Sequence, residues 1–183
     1  MSSNFAFSVK GGDIDGVGNR FPQWNGALSQ DYRIIIRDMV REPDTFGPMF
    51  ASARWGLMPS WAEPGGRPPP INAKCETIAT NGLFRFAYRS RRCLVPMNGF
   101  FEWKDIFGTG KNEQPYAIAM KDGSPFELAG ICETWKDEAG VSVRNFAIVT
   151  CEPNEMMATI YERMPVILHR ENYDRWLSAE PNP

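Results

Sequence analysis

The sequence predicts an α+β fold: a mainly antiparallel, barrel-like β-sheet with a few peripheral helices. Three observations lead there. Short runs rich in β-branched and aromatic residues recur along the chain, and Ile34-Ile35-Ile36 is the plainest of them. Turn chemistry separates these runs. Helical periodicity shows in only a few short stretches, in keeping with 16 glycines and 15 prolines among 183 residues.

In order, Phe5–Val9 reads as a short strand, and a glycine-rich stretch of loop or frayed helix follows to residue 30. Tyr32–Arg37 and Phe50–Leu57 read as strands. Pro64 to Pro70 is a surface loop, since proline donates nothing to a ladder and glycine costs entropy. Periodicity predicts a helix over Ile78–Tyr88, with Leu83, Phe84, Ala87 and Tyr88 on one side. Cys93–Pro96 returns to strand. Phe100–Lys104 and Tyr116–Met120 form a strand pair around the Gly108-Thr109-Gly110-Lys111 turn. Phe126–Thr134 and Val143–Thr150 form another. Pro153 suits the first turn of a helix running to about Tyr161. Pro165–Leu168 is extended, and Glu171–Leu177 is a final short helix.

The length fits a single domain over residues 1–183. A net charge of −2 advertises no polyanion partner globally, so any nucleic-acid site must be a local basic surface. The four cysteines, Cys75, Cys93, Cys132 and Cys151, form no C-x-x-C pair, and the only histidine, His169, is distant in sequence. No metal site is expected, and the thiols read as free and buried in a reducing compartment. The N-terminus lacks a basic region followed by an apolar run, and no apolar stretch reaches membrane-spanning length. The expectation is a cytoplasmic monomer with no membrane partner and no cofactor.

Five segments could carry chemistry. Arg54–Trp61 places two tryptophans about a tight turn; packing explains such residues more often than a stacking platform for an unpaired base. Ile71–Thr77 contains Asn72, which on its own reads best as a cap for the following helix, or else as an amide facing a substrate. Arg85–Arg92 is the strongest basic run, either a solvated helix face or, with its aromatics, a phosphate-tracking surface. In Asn98–Trp103, Glu102 interrupts an apolar strand and should point away from Phe101 and Trp103. A half-buried carboxylate is costly unless paired or functional, and burial raises its pKa toward an acid/base role. The structural alternative is a salt bridge, with Lys74 or Arg163. Ile160–Leu168 runs from a polar helix end into an apolar strand. His169 reads as a surface residue.

The order and spacing of Arg54–Trp61, Asn72–Thr77, Arg85 with Arg91–Pro96, Gly99–Trp103 and Arg163–Leu168 resemble the SOS-response-associated peptidase family, also called abasic-site processing proteins. The resemblance spans roughly residues 50–177. It implies binding to single-stranded DNA carrying an abasic site. It also implies a nucleophilic cysteine at position two, whose amine forms a Schiff base with the sugar aldehyde and whose thiol closes a thiazolidine. Autoproteolysis by the same cysteine gives the family its peptidase name. Carried over by motif, Asn72 orients the sugar or the N-terminus and Glu102 is the acid/base carboxylate. Lys74, Arg85, Arg89 and Arg163 contact the DNA backbone, and Trp61 wedges against bases.

Two positions depart from the family pattern. Ser2 stands where the family has its cysteine, and Tyr161 where it has the histidine of an H-x-R-M-P block. A serine hydroxyl is a poorer nucleophile than a thiolate, and tyrosine, with a reference pKa of about 10, is a reluctant base at neutral pH. The amine of Ser2, exposed by methionine removal, retains Schiff-base chemistry. Three readings follow: an enzyme acting on abasic DNA through Ser2, Asn72, Glu102 and Tyr161; a module that holds single-stranded DNA without covalent chemistry; and a peptidase or other hydrolase on a non-DNA substrate. The last has least behind it, because no Ser-His-Asp or Cys-His arrangement is legible with one histidine.

Overall fold

A computed structural model describes residues 26–37, 47–63, 65, 68–110 and 113–180. The strand expected at Phe5–Val9 and the candidate nucleophile Ser2 lie outside the described residues, as do residues 64, 66 and 67 of the Pro64–Pro70 loop.

Ten strands and three short α-helices make up the described chain, so the α+β class holds. The main sheet contains β1 (Asp31–Ile36), β2 (Met49–Trp55), β3 (Asn72–Lys74), β4 (Arg92–Met97), β7 (Phe126–Lys136), β8 (Ser142–Cys151) and β10 (Ile167–Leu168). The path of pairing runs β10-β7-β4-β1-β2-β8-β3, and β7 also pairs with β8. β5 (Gly99–Asp105) and β6 (Glu113–Ala119) form a two-stranded antiparallel sheet. A two-residue β9 (Met164–Pro165) precedes β10. Where the sequence predicts a mainly antiparallel sheet, the observed one is mixed. β1–β2, β1–β4, β7–β8 and β7–β10 are antiparallel, whereas β8 runs parallel to both β2 and β3. Long crossovers separate β8 from β2 and β3 in the chain, and parallel neighbours require such connections.

The described residues fall into two compact units: Pro96–Phe126 with Glu152–Met164, and Leu28–Val95 with Glu127–Cys151 and Pro165 onward. In the second unit, Leu57, Ala73, Phe84, Ala87, Ile131, Ala147 and Val149 form a buried apolar cluster. Beside it the buried Trp55 ring stacks on Phe146 with centroids 6.4 Å apart, and Tyr32 meets both rings edge-on. In the first unit, Phe100 and Phe126 pack edge to face at 6.4 Å.

The helices are shorter than periodicity predicts. The segment from Cys75 to Thr80 is turns, and α1 covers only Arg85–Ser90. Asn81-Gly82 interrupts the pattern: the Asn81 side-chain oxygen accepts from the Leu83 amide at 2.9 Å, a local alternative to helix. Asn72 is therefore no helix cap; it opens β3. The Pro153 helix contracts to α2 (Glu155–Ala158), capped by Asn154, whose Oδ1 accepts from the Met157 amide at 2.9 Å. The last helix is a 3-10 turn (Arg170–Asn172) leading into α3 (Tyr173–Leu177).

Arg92 ties this end down. It is 4% exposed, and its guanidinium donates to the carbonyls of Tyr88 at 2.7 Å, Glu180 at 2.8 Å, and also Trp176 and Ser178. The basic run Arg85–Arg92 is thus not one solvated stripe. Its final residue is a buried anchor, although burial lowers the Arg92 pKa from its ordinary value. Arg92→Met leaves those carbonyls without donors. It is expected to lower unfolding free energy by about 3 kcal/mol in a urea titration.

Candidate functional site

Glu102 sits on β5, where the register places it opposite Tyr116 of β6. Alternation sends its side chain to the buried side, and it is 1% exposed. Its Oε1 has no hydrogen-bond partner. Burial is the largest influence on its pKa and raises it from 4.5 to about 7, while a backbone hydrogen bond at Trp103 lowers it. A salt bridge, the structural alternative, would pull the pKa down; the shift is upward. The carboxyl is therefore poised to hold or release a proton near neutral pH.

Tyr161 follows α2 in the same unit and its amide donates to the Met157 carbonyl at 2.8 Å. It is half-buried. Burial first, then the negative charges of Glu102, Glu162 and Glu113, raise its pKa above 10. The phenol stays protonated at neutral pH and serves as a donor. Arg163, two residues on, is half-buried.

In the second unit, Asn72 faces Ile148 of β8 in parallel register, and Lys74 faces Thr150. Asn72 Oδ1 is buried without a hydrogen-bond partner, an unfilled acceptor at the start of β3. Lys74 is exposed. The two tryptophans of Arg54–Trp61 divide: Trp55 is core, with its Nε1 donating to the Ile71 carbonyl at 3.1 Å, whereas Trp61 is 60% exposed. Gly56 makes the turn between them. Its φ of +126° suits glycine, and a Cβ there would meet Pro69 at 3.1 Å. Arg85 and Arg89 lie exposed on α1, with the Arg85 guanidinium 4.7 Å from the Phe86 ring centre. Trp61, Leu83, Phe86 and Arg89 line one cavity of about 350 Å³. His169 is exposed.

Sequence reasoning missed two supports. Asn145, 2% exposed on β8, accepts at Oδ1 from the Met58 amide at 3.0 Å and so fixes the turn leading to Trp61. A lone asparagine inside Val143–Thr150 was the available signal. Glu133, buried on β7, pairs with Arg91 at 2.7 Å. Among the described residues, no cluster of three or more metal-ligating side chains forms, and no helix is long and apolar enough to cross a membrane. None of the four cysteines is in a disulfide.

The mixed α+β fold is shared with known proteins. The chain matches the description "SOS response associated peptidase (SRAP)" over residues 6–183. It is 37% identical over 162 residues to the abasic site processing protein YoaM of Bacillus subtilis, covering 87% of this chain and 67% of that protein. It is also 37% identical over 166 residues to the abasic site processing protein YoqW of the same organism, covering 89% and 70%. A crystal structure of a protein from Bacteroides thetaiotaomicron superimposes with a TM-score of 0.69 at 30% identity, covering 82% of this chain and 64% of that one. The chain thus spans about two thirds of the length of these proteins. It belongs to the SOS-response-associated peptidase family.

The raised Glu102 pKa has a signed consequence for stability. Between pH 4.5 and about 7 the folded protein keeps a proton that the unfolded chain releases. The contribution is full below 4.5 and is lost as pH rises through about 7. Across that window the loss should be about 3 kcal/mol. Unfolding free energies of Glu102→Gln, measured by denaturant from pH 4.5 to 8, should lack this decline.

Proposed function

We propose that this protein processes abasic sites in single-stranded DNA by Schiff-base formation at its N-terminal amine. The observation that carries the reading is Glu102, a buried acid whose pKa burial raises to about 7. Such a group fits the slow step of imine formation. Once Met1 is removed, the Ser2 amine adds to the C1′ aldehyde of the ring-opened sugar and gives a carbinolamine. Protonated Glu102 donates to the departing hydroxyl, water leaves, and the C–N bond becomes an iminium. The Ser2 hydroxyl then adds to that carbon, loses its proton and closes an oxazolidine, the oxygen counterpart of a thiazolidine. The unfilled Asn72 acceptor suits an amine or sugar hydroxyl as donor, and the Tyr161 phenol serves as a second hydrogen-bond donor.

Lys74, Arg85, Arg89 and Arg163 supply phosphate contacts, and exposed Trp61 supplies a face for base stacking. We further read the protein as a cytoplasmic monomer whose main sheet closes in a barrel-like way through the β7–β8 pairing. A second reading, non-covalent binding alone, is favoured by Tyr161: a phenol with a pKa above 10 cannot replace a histidine as base.

Borohydride reduces an imine to a stable secondary amine and tests the first reading. A trapped adduct on single-stranded abasic DNA is expected, and Glu102→Gln should slow its formation about 100-fold. Binding without any adduct would leave the second reading standing. In either case affinity should fall with salt. Arg89→Ala should reduce the log–log slope of affinity against salt by about 1. Trp61→Ala should weaken binding by about 1–3 kcal/mol, read by fluorescence anisotropy.

A further inference from the structure

We propose that the cavity beside Trp61 is a base-reading pocket selective for guanine, with Glu133 and Arg91 as the reading groups. The inference rests on the single-stranded DNA reading and adds a base preference to it.

The cavity, at about 350 Å³, falls in the range of small-ligand sites. Two exposed aromatic rings, Trp61 and Phe86, stand at it, and either offers a stacking surface to a base. The loop bearing Trp61 is held in place, because the Trp135 indole Nε1 donates to the Ala62 carbonyl at 2.7 Å. Trp135 and Glu133 belong to the same strand, so the loop and the polar floor of the cavity share one support.

That floor has a definite hydrogen-bonding pattern. Glu133 Oε2 accepts from Arg91 Nη2 at 2.7 Å, and Oε1 accepts from the Thr134 amide at 3.0 Å. A carboxylate has about four acceptor positions, so each oxygen keeps one. Two parallel acceptors on neighbouring oxygens match two parallel donors, and guanine presents such a pair in N1–H and N2–H. Beyond the bond to Glu133, the Arg91 side chain is 41% exposed, and its guanidinium fork retains donors. Guanine O6 lies next to N1 and accepts from such a fork. Adenine would turn its N1 lone pair toward the carboxylate. Thymine would turn a carbonyl, and cytosine offers one amino group beside an unprotonated ring nitrogen.

The test uses the full chain and dT oligonucleotides carrying a stable abasic analogue. One residue is set to dG, dA, dC or dT at each flanking position in turn, and affinities are read by anisotropy. At one position dG should bind roughly tenfold more tightly than the other bases. In Glu133→Gln, the ratio of dG to dT affinity should fall to about one. The ratio is read within one protein sample, so a loss of stability in the variant does not mimic it. Equal affinities at every position would overturn the guanine pocket and leave DNA binding intact. A preference that survives Glu133→Gln would overturn it too and would make the Arg91–Glu133 pair purely structural. No binding to any oligonucleotide would remove this inference together with the reading on which it rests.

Discussion

Strand β8 is the constraint on which the main sheet depends. β7 pairs along it from Ser142 to Ile148, and β2 and β3 both pair with residues in or next to that stretch. A strand has two edges, so β2 and β3 must share the edge that β7 leaves open. That arrangement sets Asn72 opposite Ile148 and brings Arg54 opposite Asn145. The Asn145 side chain then accepts from Met58 and settles where the Trp61 loop begins. Positions more than seventy residues apart in the chain are thereby fixed by one ladder.

The other unit works by exclusion. Glu102 is held on a short hairpin whose neighbouring inward residue, Phe100, is itself buried against Phe126. A carboxyl in such surroundings costs stability, and no ion pair offsets the cost in its pKa, which rises. Natural chains tolerate that kind of expense at sites of chemistry, where a group must be able to exchange a proton at working pH.

Much of this was legible beforehand, and the reason is local. Ile34-Ile35-Ile36, the turn between β5 and β6, and the β7–β8 pair all carry their structure in short-range pattern. So does Glu102, a lone acid inside an apolar strand. What the sequence hid was decided by distant partners. Asn72 resembles a helix cap until β8 recruits it into a strand. Arg92 looks like one member of a basic face until the carbonyls at Trp176, Ser178 and Glu180 enclose it. The parallel pairings of β8 have no local signature, because nothing in a strand's alternation records its neighbour's direction. Trp55 and Trp61 could not be told apart by type; the turn at Gly56 sends one inward and one outward.

The distribution of sulfur has a practical corollary. Cys93 and Cys132 are buried, and burial pushes the Cys93 thiol well up, away from the reactive thiolate. Cys75 is exposed, one residue past Lys74 at the end of β3. A maleimide dye added briefly near neutral pH should therefore attach there first, without mutagenesis, and report from the C-terminal end of β3.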